Sequence, residues 1–122
     1  MSRIRPAELD ERMQSGGELF LLDIRPSSSY RTNSIENSYN VPVYDDLRRG
    51  DEAALRDRLE ELPTGSEIVV ICKMGIVAKR ATSVLTAEGY DATTLAGGMS
   101  GWMGYQSGSL GYKLRSLLWK IK

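Results

Sequence analysis

The sequence predicts an α/β domain: a central, mainly parallel sheet with helices on both faces. Three observations carry this. Short apolar runs of strand length alternate with helix-period segments along the chain. The strand runs are continuous rather than alternating, as in strands covered on both sides. The 122 residues, 41% of them hydrophobic, suit one domain that buries about two-thirds of its unfolded surface.

Taken in order, Pro6 and residues 7–13 read as a helix, because proline suits a first turn and Gly16-Gly17 ends the pattern. Leu19–Asp23 (LFLLD) is a buried-strand run. Pro26-Ser27-Ser28-Ser29 marks a turn or a short helix start. Residues 39–43, with Val41 followed by a proline, read as a strand near its end. Residues 51–62 place Ala54, Leu55, Leu59 and Leu62 on one helical face, and Pro63-Thr64-Gly65-Ser66 breaks it. Glu67–Ile71 (EIVVI) is the strongest strand signal and runs directly into Cys72. Residues 78–88 form a helix with Ala81, Val84 and Leu85 as its stripe and Gly89 as its cap. Ala92–Leu95 is a last short strand, ended by Gly97-Gly98.

Counting excludes several chemistries. The chain has one cysteine and no histidine. An internal disulfide, a cysteine-rich zinc site and any triad with a histidine base are therefore ruled out. No metal or organic cofactor is called for. Sixteen basic residues balance sixteen acidic ones, so nucleic acid is not an expected partner. Residues 1–62 nonetheless carry nine basic and thirteen acidic side chains, and residues 63–122 carry seven and three. No apolar run reaches the ~20 residues of a membrane span, and residues 1–13 lack a signal-peptide core. The expected location is cytoplasmic, where a single thiol stays reduced.

Cys72 follows the carboxyl end of the central strand run and precedes a helix, the position where open parallel sheets bind ligands. In the segment Cys72-Lys73-Met74-Gly75-Ile76-Val77-Ala78, Gly75 permits a tight loop. Successive amides of such a loop converge into an anion cradle. A thiolate is favoured there by those donors and by the helix dipole, with Lys73 and Arg80 adding positive charge. The plain structural alternative is that Cys72 is a small buried apolar residue at a strand end.

The motifs on either side extend the pattern. Asp23-Ile24-Arg25, Tyr30, Ile35 and Asn40-Val41-Pro42 form one set, Cys72-Lys73-Met74-Gly75 a second, and Gly97-Gly98-Met99-Ser100-Gly101-Trp102 a third. Together, over about residues 4–103, the sequence resembles the rhodanese (thiosulfate sulfurtransferase) superfamily in its single-domain form. Asn33-Ser34 stands where that family usually has Gly-His, and Val77 where many members carry a loop arginine. The resemblance implies a rhodanese-like three-layer fold over residues 1–103. It also implies a sulfurtransferase that carries sulfane sulfur as a Cys72 persulfide. Lys73, Met74, Gly75, Ile76, Val77 and Ala78 would supply the substrate-binding loop, while Asp23 and Arg25 would brace the site. The implied partners are a small sulfur-donor anion or persulfide and a thiol or carrier-protein acceptor. A catalytically weak or inactive binding module remains an alternative reading, as does, more distantly, a phosphatase or arsenate reductase.

Residues 104–122 are expected to form an extension. Gly104, Gly108 and Gly111 read as a connector over 104–111. Residues 112–121 then read as a basic amphipathic helix, with Leu110, Leu114, Leu117, Leu118 and Ile121 on one stripe. Packing of that stripe onto protein is favoured over a membrane surface.

Overall fold

The computed structural model describes residues 2–108 and Leu114. Five strands form one sheet: β1 (Arg3–Ile4), β2 (Leu19–Asp23), β3 (Tyr39–Asn40), β4 (Glu67–Ile71) and β5 (Ala92–Leu95). Their order is β1-β5-β4-β2-β3, and every pairing is parallel. The helices are α1 (Pro6–Gln14), α2 (Ser27–Thr32), α3 (Tyr44–Arg48), α4 (Ala53–Arg56), α5 (Val77–Ala87) and α6 (Gly98–Gly108), with a 3-10 turn at Leu59–Glu61.

Side-chain alternation in the strands divides the core into two layers. Ile68, Val70 and Cys72 point to one face, where Leu22, Ile24, Leu47, Leu55, Val77, Ala81 and Leu85 pack. Val69 and Ile71 point to the other, against Ile4, Leu9, Met99 and Trp102. Helices α3, α4 and α5 thus cover one face, and α1 and α6 the other. The four core residues of β4 from Ile68 to Ile71 are fully buried. Each contributes roughly 1.5–3 kcal/mol of burial free energy, so the strand that leads into Cys72 is firmly held. No helix among the described residues is long and apolar enough to cross a membrane.

Several elements depart from the sequence expectation. The strand expected over 39–43 stops at Asn40, because Pro42 has no N–H for a ladder and Val41 and Val43 drop into the core. Helix α3 was not foreseen. The helix expected over 51–62 divides into α4 and the 3-10 turn, with Arg58 donating to Leu55, Glu61 to Arg58 and Leu62 to Leu59 across i,i+3 backbone bonds. That tighter winding stacks residues three apart. It allows the Arg58 guanidinium to grip both Glu61 carboxylate oxygens at 2.7 and 2.8 Å.

The connector expected over 104–111 is instead helical as far as Gly108. Four glycines in α6 each cost about 1 kcal/mol relative to alanine, and tertiary contacts outweigh them. Met99 and Trp102 are buried, the Trp102 and Tyr105 rings lie 5.8 Å apart, and the Tyr105 hydroxyl donates to Asp10 of α1 at 2.5 Å. Helix α6 therefore runs unbroken past residue 103. The expected helix over 112–121 lies outside the described residues except for Leu114, which is helical and 53% exposed rather than buried.

Glu61 accepts from Arg58 and from the Tyr39 hydroxyl at 2.5 Å. These bonds, the Arg58 one foremost, hold its carboxyl down at about 2, from 4.5. A depressed folded-state pKa gives stability that is complete above the unfolded value and lost as pH falls through the folded one. Glu61→Gln should therefore lower the melting temperature at neutral pH. The difference from the native chain should close between pH 4.5 and about 2, as read from a pH series of thermal melts.

Candidate active site

The site lies at the carboxyl ends of β4 and β2, the two central neighbours of the sheet. From β2 the chain leads outward to β3 on one side, and from β4 to β5 on the other. The crevice between such diverging connections is where a parallel sheet opens to ligands. Cys72 is the first residue beyond β4 and is only 1% exposed.

After Cys72 the chain turns back on itself to start α5. Gly75 makes the turn with φ +84°, in the left-handed region that favours glycine. As a result, the Gly75 N–H donates to Cys72 Sγ at 3.1 Å and the Ala78 N–H at 3.3 Å. Two amides, one from the loop and one from the first turn of α5, thus converge on the sulfur. Of the six loop residues singled out in the sequence, Gly75 and Ala78 supply these bonds. Met74 and Ile76 stand at the surface, 65% and 70% exposed, and Val77 is buried at the helix start. The Lys73 ammonium lies 4.8 Å above the centre of the Tyr44 ring. Arg80, expected to add charge at the sulfur, instead donates to the Leu47 carbonyl of α3 at 3.2 Å.

A second layer buttresses this loop, and the sequence reading did not foresee it. The chain enters α6 through Gly98, with φ +57°. The N–H groups at the start of α6 then donate outward: Met99 to the Cys72 carbonyl at 2.8 Å and Ser100 to the Lys73 carbonyl at 3.0 Å. The contact is closer than a side chain permits. A Cβ on Gly98 would lie 2.4 Å from the Cys72 oxygen and 2.8 Å from the Gly75 nitrogen. The Gly97-Gly98 pair is visible in the sequence as the end of β5 and as the start of the third motif of the resemblance, but its close approach to the Cys72 loop is not.

Asp23 and Arg25 lie beside the loop. Asp23 pairs in register with Ile71, the residue before Cys72. Both side chains are buried and joined by a 2.9 Å ion pair. The guanidinium meets both Asp23 oxygens and reaches on to the Asn33 carbonyl at 2.6 Å. Asn40 donates to the Asp23 and Arg25 carbonyls, each at 2.9 Å. This network fixes the loops that follow β2 and β3 to one another and leaves neither charge free for a ligand.

The arrangement is a parallel α/β domain with a cysteine at the end of its central strand, met there by two backbone amides. The model of the Rhodanese-like domain matches residues 5–105, and the chain belongs to that family. It is similar to the maize adenylyltransferase and sulfurtransferase MOCS3-2, at 31% identity over 102 residues. That match covers 83% of this chain and 21% of the maize protein, so the chain spans about a fifth of that relative's length. It is also similar to YtwF of Bacillus subtilis, at 26% identity, across 85% of this chain and 92% of YtwF. The structure superposes on a rhodanese-related protein from Thermoplasma volcanium with a TM-score of 0.71 and 25% identity, covering 85% and 92% of the two chains.

Two substitutions test the construction of the site. Gly98→Ala combines a left-handed residue with a backbone clash and should cost about 2–5 kcal/mol. It should also speed alkylation of Cys72 by a small electrophile, because the loop must lift to admit the methyl group. Arg25→Met strands the Asp23 carboxylate in the core and should cost about 3–5 kcal/mol in denaturant unfolding.

Proposed function

We propose that this protein is a sulfurtransferase that carries sulfane sulfur on Cys72. The observation that supports this best is the pair of amides, Gly75 and Ala78, aimed at Sγ within 3.3 Å. Their N–H dipoles face whatever negative charge the sulfur bears. They are fixed before any reaction by β4, by α5 and by the start of α6, so they need no reorganisation during it. The sulfurtransferase names among the relatives agree with this reading.

In the first step the Cys72 thiolate attacks the outer sulfur of a donor. An S–S bond forms at Cys72, the donor's own bond to that sulfur breaks, and its electron pair leaves with the departing group. In the second step a thiophilic acceptor attacks the carried sulfur and releases the thiolate. The cycle is a two-step covalent exchange with no net redox change at the protein. A second sulfur lies about 2 Å beyond Sγ, so the loop from Lys73 to Ala78 is the surface nearest to it. Asp23 and Arg25 act as braces, holding the neighbouring loops while touching neither sulfur. The acceptor is a small thiol or a carrier protein.

Cys72→Ser should abolish sulfur transfer and leave the melting curve close to that of the native chain, because serine fills nearly the same volume. Retention of sulfur transfer by this variant, measured by intact mass and by sulfur release to an acceptor, would remove the assignment.

A further inference from the structure

A groove runs between α5 and the edge strand β1. Arg3 pairs in register with Thr94 of β5, and Ile4 packs in the layer of α1 and α6. Strand alternation therefore turns Arg3 to the opposite face, toward α5. There Ser2, Arg3, Lys79 and Thr94 line a cleft of about 350 Å³. None of them belongs to the loop from Cys72 to Ala78. Arg3 and Lys79 are both exposed, and neither forms an ion pair among the described residues. Arg3 also borders a cleft with Glu8 and Glu11 but pairs with neither. Two like charges in one cleft repel until a negative group lies between them. A buried hydroxyl adds a third donor. Thr82 and Thr94 are each 1% exposed and are bonded to one another at 2.7 Å. The two hydroxyls carry two protons and make one bond. One proton thus has no acceptor among the described residues. With Thr82 donating, that proton is on Thr94, the member of the pair that lines the cleft.

A second cleft, of about 470 Å³, adjoins the first at Ser2. Ser83 and Thr86 line it from α5, at i+4 and i+7 from Lys79 and so on the same helix face. Asp91 lines it as well. The groove is cationic at one end and carries hydroxyls and one carboxylate at the other. An anion is repelled from the Asp91 end, where ligand hydroxyls find acceptors. We propose that this groove binds a phosphate ester of a polyhydroxylated body. Its phosphate lies among Arg3, Lys79 and Thr94, and its hydroxyls face Ser83, Thr86 and Asp91. The arginine fork and the lysine point charge both suit phosphate oxygens. The chain's own residues 109–122 make a poor occupant, because they carry four basic side chains and no acidic one. A sugar phosphate and a nucleoside monophosphate share the required chemistry. The site is independent of sulfur transfer at Cys72.

The test titrates the full chain with glucose phosphate, adenylate, inorganic phosphate, glucose and adenosine. Binding is read from calorimetry and from the rise in melting temperature that a ligand of the folded state produces. One of the two esters should bind at millimolar concentration or below, and the tighter of them names the source as sugar or nucleotide. Glucose and adenosine should bind about tenfold more weakly or not at all. Lys79→Met and Arg3→Met, at exposed positions that folding tolerates, should each weaken the ester by about three- to tenfold. Asp91→Asn should change the affinity of the ester and leave that of inorganic phosphate as it was. Inorganic phosphate binding as tightly as both esters overturns the polyhydroxylated body. No binding by any probe, or binding indifferent to both Lys79→Met and Arg3→Met, overturns the site.

Discussion

Two amides at the start of α6 donate to the carbonyls of Cys72 and Lys73, and the site depends on that pair of bonds. They fix the backbone of the loop from outside, at the residues where β4 ends. With those carbonyls satisfied on the α6 side, the loop turns its own amides inward, where Gly75 and Ala78 meet Sγ. The arrangement works only because two chain reversals share one space. Gly98 touches backbone where any Cβ would clash, and the Gly75 position is nearly as crowded, with the Gly97 nitrogen 2.9 Å from where a Cβ would lie. Helix α6 is thus the clamp of the loop as well as a cover for the sheet.

The Asp23–Arg25 pair performs a similar task on the neighbouring strand. Burying two charges brings little net stability even when they are well paired, so the pair is better understood through its geometry. The guanidinium spans from the end of β2 to Asn33, and Asn40 bonds back to the same turn. The loop beside Cys72 is tied at both ends as a result. Positions held by backbone bonds and a buried fork are the kind of support that a preorganised site needs.

How far the sequence foretold this depends on the range of the interactions. The path from β4 through Cys72 to α5 is local: a β-branched run, one glycine and an apolar helical stripe suffice, and the structure matches it closely. Asp23 and Arg25 were singled out as braces by resemblance, and the structure places them beside the loop. The clamp was not legible, because α6 is glycine-rich and forms only through contacts distant in sequence, such as that of Tyr105 with Asp10. Strand β1 escaped notice for the same reason. Its two residues are a strand only because Arg3 and Ile4 pair with Thr94 and Leu95. Helix α3 is too short for a periodic signal, yet it determines where Lys73 and Arg80 rest.

The sheet has short edges. Its long strands, β2, β4 and β5, are all interior, while β1 and β3, at the two ends, have two residues each. Both edge strands are followed two positions later by proline, at Pro6 and Pro42, where no N–H is available for further pairing. A passing extended chain therefore finds little backbone on which to add a strand. Edges this short give a neighbouring β-rich chain almost no ladder to extend, so the sheet ends where the domain ends.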